Sequence, residues 1–246
     1  MPDTVEDYGS VCVFAYLCSG KKAIMKDIFR RYMVFVAGLY FLAAGVVIIV
    51  RSTLGTTPIS SVNYVVSLNT PLTLGICTFI INMILIAGQL WLVRDRRTRR
   101  DIIEIMLQIP FSFVFAAFID LNMALTQDLS PSGYAAAIAL LLAGCVVQAV
   151  GVVLEIKPHV AMMSAEAFVK YFSARYNKEF GKVKVCFDVL LVSMAVAVSL
   201  MFTHSIEGVR EGSVIAACLT GYMVTFLNTR VITRRMWQGM RTGILK

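Results

Sequence analysis

Charge, histidine and proline are all scarce in this chain. Only 15% of its 246 residues are Asp, Glu, Lys or Arg, against about 25% in an ordinary soluble domain. A surface facing water cannot be built from so little charge. The two histidines, His159 and His204, leave little for imidazole acid–base chemistry, and no G-x-S-x-G, H-E-x-x-H, Walker A or dinucleotide fingerprint occurs. Neither catalysis nor a cofactor is expected. Six cysteines form no C-x-x-C pair, so neither a disulfide framework nor a metal site is indicated. No stretch alternates with the two-residue period of a barrel strand.

What the chain has instead is apolar length, with 58% of its residues hydrophobic. A helix needs about 20 apolar residues to cross a bilayer, and such runs occur at Tyr32 to Val50, Leu74 to Val93, Tyr134 to Leu154 and Val185 to Thr203. Two less clean runs, Ile102 to Leu121 and Gly212 to Thr229, bring the expected number of spans to six. The expectation is an all-α integral membrane protein. Its net charge of +8 is unevenly placed: basic clusters precede the first span and follow the second, fourth and sixth, leaving Arg51 and Arg210 for the other face. By the positive-inside rule both termini are cytoplasmic, and the basic loops meet lipid headgroups rather than nucleic acid. The first 24 residues start acidic and hold one short apolar run, VCVFAYLC, unlike a signal peptide. An interfacial segment and a start at Met25 are the two readings.

Shifting the sequence by 106 residues lays AGLYFLAAGVV, from Ala37, on AGCVVQAVGVV, from Ala143, with six of eleven positions identical. The same offset puts Gly75 on Gly181, Asn82 on Asp188 and Leu85 on Leu191. This predicts two repeats, residues 31–127 and 128–233, between an N-terminal segment 1–30 and a basic tail 234–246. Three spans per repeat is odd, so the copies are inverted, the arrangement that supports alternating access. Gly38 with Gly45, and Gly144 with Gly151, place small residues on one face of the first and fourth helices, where close packing is expected.

Between the first two spans lies RSTLGTTPISSVNYVVS, residues 51–67, and the offset aligns it with KPHVAMMSAEAFVKYFS, residues 157–173. Each reads as a short connector helix, the first capped by Thr57 with Pro58 at its first position, the second capped by Ser164 with Glu166 near its positive end. Lying flat in the headgroups, such a helix is only a linker. Dipping into the bundle, it brings Gly55, Thr56, Thr57, Pro58, Ser60 and Ser61 to a solute as a substrate-binding turn.

The segments LGTTPISSVNYVVSLNTPLTLGICTFIINMILI and QIPFSFVFAAFIDLNM resemble the YczE/YyaS/YitT group of bacterial integral membrane proteins, over roughly residues 25–230. The resemblance implies a multi-pass protein of the bacterial plasma membrane with a transport-related role. Ala161 stands where the group's second turn carries glycine.

Ionisable side chains at membrane depth are costly and point to function. Asp120, near the outer end of the third span, is expected to meet Arg51, either as a structural ion pair or as a proton-coupled gate. Asp188 and Asn82 form a symmetric pair across a central pathway, and with Ser164 complete the expected substrate-binding set. Glu104 and Glu155 are expected to snorkel to the cytoplasmic surface or to pair there with Arg99, Arg100 or Lys157. Pro110 is expected to kink the third helix. The functional expectation is a secondary carrier for a small polar or anionic solute, coupled to protons. The alternative is a non-transporting accessory or substrate-capture subunit acting on a partner protein; a homodimer fits either.

Overall fold

A computed structural model describes residues 7–94, 99–158, 160–203 and 211–227. Every regular element among them is a helix: α1 (Asp7–Arg51), α2 (Pro58–Asn69), α3 (Leu74–Leu92), α4 (Arg99–Leu125), α5 (Tyr134–Ile156), α6 (Ser164–Tyr176), α7 (Phe180–Thr203) and α8 (Glu211–Phe226). Five segments are long and apolar enough to cross a membrane, namely Ile28–Arg51 of α1, α3, Asp101–Leu125 of α4, α5 and Phe180–Phe202 of α7. The chain is an all-α, multi-pass membrane protein. Large apolar side chains such as Ile84, Phe113, Val189 and Met194 face outward, as lipid contact requires. The sixth expected span corresponds to α8, whose 16 residues end near the limit of the described chain. Asn228 and Thr229, like His159, His204 and Arg210, lie outside the described residues.

Helix α1 runs 45 residues without a break, so the short apolar run near its start belongs to one long helix. Helix α4 is likewise continuous through Pro110. The connectors are short helices as expected. Thr57 is the extended residue before α2 and Pro58 its first residue, although the Thr57 hydroxyl donates to Ser60 Oγ (3.0 Å) rather than capping the backbone. In α6 the expected cap is displaced by one residue. Met163 takes the N-cap position and Ser164 is the first helical residue.

Helices α1 and α5 pack more extensively than any other described pair, and glycine is the reason. A Cβ on Gly38 would come 2.7 Å from the Glu155 backbone nitrogen, one on Gly45 2.5 Å from that of Gln148, and one on Gly144 2.7 Å from Ile49. Gly151 meets the Leu42 backbone as closely. Residue numbers rise along α1 as they fall along α5, so the two helices are antiparallel. Arg51 and Ile156, where the connectors depart, therefore lie at opposite ends of the pair. From Gly38, beside Glu155, to Arg51 is thirteen residues of helix, roughly 20 Å.

Around this pair, α4 packs on α1 and α8 on α5; α2 packs on α7 and α3, and α6 on α3 and α7. The connectors are thus built into the bundle. Val62 and Val65 of α2 are buried against Leu191 and Ala195 of α7. On α6, Phe168 stacks near Phe187 of α7 at 5.5 Å and touches α3 at Gly88.

Candidate functional site

Between the two connector starts lies a cavity of about 370 Å³. Its walls include Thr57, Pro58, Ile59 and Ser60 from α2 and its cap, Met163, Ala165 and Glu166 from the start of α6, Thr78 and Asn82 from α3, and Lys184 and Asp188 from α7. Helices α1 and α5 contribute Leu42, Val46, Gln148, Val152 and Glu155. Two chain segments that leave α1 and α5 roughly 20 Å apart turn back to line one space.

Of the residues expected to bind substrate, this cavity brings together Thr57, Pro58, Ser60, Asn82 and Asp188. Gly55, Thr56, Ser61 and Ser164 are not among its lining. Gly55 has φ 140°, a conformation suited to glycine, and the Leu54 carbonyl beside it accepts from the Gly212 N–H at 3.0 Å. The Thr56 N–H donates to Ser213 Oγ at 3.0 Å, so this turn anchors the start of α8. Ser61 Oγ donates back to the Pro58 carbonyl. The Ser164 carbonyl accepts from Gln89 Nε2 at 2.9 Å, and Gln89 exchanges two amide hydrogen bonds with Gln108, tying α3, α4 and α6 together.

The expected contact between Asp120 and Arg51 does not form. Asp120 accepts from the Gly75 N–H (2.8 Å) and the Thr73 hydroxyl (2.7 Å), neutralising the positive start of α3. Arg51 donates to the Met123 carbonyl (2.8 Å) and to Thr126 Oγ1 (3.3 Å), at the other helix end that needs a cation, the C-terminus of α4. Each side chain is held by a helix terminus, and neither lines the central cavity. Glu155 is corrected as well: it is buried beside the cavity instead of reaching the surface with Lys157. Glu104 lies 3.7 Å from Lys170 of α6.

Asn63, Gln148 and Lys184, which the sequence reading passed over, complete the site. Asn63 donates to Thr78 Oγ1 (3.1 Å). Its Oδ1, with Asn82 Nδ2 and Gln148 Oε1, is buried without a hydrogen-bond partner among the described residues. Each such group costs about 1–3 kcal/mol unless something in the cavity meets it. Lys184 Nζ sits 2.7 Å from Asp188 Oδ1, one turn away on α7. Glu155 lies beside the start of α6, near enough to Glu166 for the two carboxylates to repel. Burial raises the Glu166 carboxyl above its ordinary range, Lys184 draws it down and Asp188 raises it again. A mid-span amide such as Gln148 is the signal that sequence reasoning had available for this wall.

Residues 29–229 match the model of a family of unknown function, DUF6198. The chain belongs to that family. No curated protein and no solved structure matches it. The matched DUF6198 segment runs from the foot of the α1 span to just beyond α8 and so contains every residue of the cavity.

Proposed function

We propose that this protein is a secondary carrier of the bacterial plasma membrane, with six spans in two inverted three-helix repeats and the central cavity as its solute site. One observation carries the reading. The cavity wall is made of residues related by the 106-residue offset: Leu42 with Gln148, Ser60 with Glu166, Thr78 with Lys184 and Asn82 with Asp188 all line it. Packing follows the same exchange, with α2 on α7 matched by α6 on α3, and α1 on α4 by α5 on α8. The glycine contacts obey it too, since Gly38 beside Glu155 corresponds to Gly144 beside Ile49. Inverted halves meeting at a cavity between broken helices is the architecture from which alternating access is built.

Both termini on the cytoplasmic side, from the distribution of basic residues, complete this reading, which also takes the chain to be kin to the YczE/YyaS/YitT group that its LGTTPISS and FIDLNM segments resemble. The lining favours a polar solute over an anionic one, because three carboxylates face one lysine. Asp188, Glu155 and Glu166 replace Asp120 as the groups placed to couple solute movement to protons. Flux of a solute that stabilises the purified chain, measured in proteoliposomes with and without a proton gradient, tests the carrier. Gradient-dependent uptake lost in Asp188→Asn is expected. Binding without flux, together with capture of a soluble partner by the basic face, would replace the carrier with an accessory subunit.

A further inference from the structure

The chain as a whole is strongly basic, yet two of its cavities carry an excess of acidic side chains. Next to the central cavity lies a second one, of about 390 Å³, lined by Glu104, Gln108, Lys170 and Tyr171. Glu155 and Glu166 border both and form the partition between them. Across the two spaces four carboxylates face two amines, and Lys184 is held at 2.7 Å by Asp188. Burying two mutually repelling carboxylates is costly unless a cation or a proton joins them. Other residues of the wall lack partners too: Asn63, Asn82 and Gln148, which line the central cavity, are at least nine-tenths buried and each carries an amide atom unpaired among the described residues.

The geometry points to a small organic cation as the ligand, its ammonium nitrogen held between Glu155 and Glu166 and its polar remainder on Asn63, Asn82 and Gln148. A primary ammonium presents three donors, enough to bridge two carboxylates. The amides offer both a donor, from Asn82, and acceptors, from Asn63 and Gln148, which suits a hydroxyl or amide on the same molecule. This identification rests on the central cavity being the solute site, but not on transport through it.

Thermal unfolding of the full chain in lipid nanodiscs tests it, with three size-matched probe sets: amino alcohols such as 4-aminobutanol, the corresponding diols, and the corresponding hydroxy acids. Stabilisation by the amino alcohols alone is expected. Glu155→Gln and Glu166→Gln, which keep side-chain shape, are each expected to weaken that stabilisation about tenfold or more, the scale of one charge-assisted hydrogen bond. Asp120→Asn is expected to leave it unchanged. Stabilisation by hydroxy acids or diols to the same degree overturns the proposal, as does indifference of the chain to every amine. If Glu155→Gln fails to fold, Glu166→Gln and Asn82→Ala decide the same question. Flux measurements keep the two readings apart. Amine binding without flux rejects the carrier and keeps the cation; flux of a bound hydroxy acid does the reverse.

Discussion

Asp120 shows how a buried-looking charge is used when a helix end is near. Its two oxygens take the Gly75 N–H and the Thr73 hydroxyl, so Asp120→Ala leaves the start of α3 with an unmet donor. A loss of about 1 kcal/mol is expected, as for other N-terminal caps, read as a lower unfolding temperature with amine binding intact. Glu166 behaves differently. It is faced by Glu155 from α5, by Lys184 and Asp188 from α7 and, through the second cavity, by Glu104 from α4 and Lys170 of its own helix, while α3 brings only the neutral Thr78 and Asn82. Burial, the largest influence, keeps its proton on to a higher pH than an ordinary glutamate. Cation binding requires the ionised form, so affinity for an amine falls as pH drops through that raised range. In Glu166→Gln the acid-side loss is expected to diminish; an unchanged pH profile would remove Glu166 from the site.

At the scale of elements, the contact of α1 with α5 is the central joint of the bundle, and its closeness depends on side chains being absent. Gly45→Leu and Gly151→Leu each force atoms into the partner's backbone. A cost of about 1–3 kcal/mol is expected for each, whereas Gly133→Ala, where a Cβ meets nothing within 4 Å, serves as the neutral comparison. Thermal unfolding of the purified variants checks both. This joint was legible in the sequence, because seven-residue glycine spacing on a helix marks a close face whatever lies opposite. The connector helices were legible as helices, through Thr57, Pro58 and Glu166. Their depth was not, since α2 is buried mainly by α7 and α6 mainly by α3, distant partners that no local pattern reveals. Arg51 and Asp120 were misjudged for the same reason. Each found a nearby helix end in the third dimension, and helix ends compete well with a salt bridge.

Taken whole, and on the proposed repeat, the molecule joins two halves so that each contributes a connector and an equivalent wall to one cavity. Neutral side chains in the first half, Ser60, Thr78 and Asn82, are matched by Glu166, Lys184 and Asp188 in the second, which gives the symmetric frame one uncharged and one charged side. Exchanging the charge pair by Asp188→Asn with Lys184→Thr would leave Glu166 opposite Ser60 as the one difference in charge among these three pairs; expression and unfolding temperature are expected to persist while solute discrimination between cations and neutral molecules declines. The most direct measurement of the shared cavity is cross-linking in lipid. In a chain with its six cysteines replaced by serine, Ser60→Cys and Ala165→Cys are expected to be joined by a short bis-maleimide within one molecule, and a cavity ligand to slow the reaction. Efficient single labelling of both positions with no intramolecular cross-link would contradict the account.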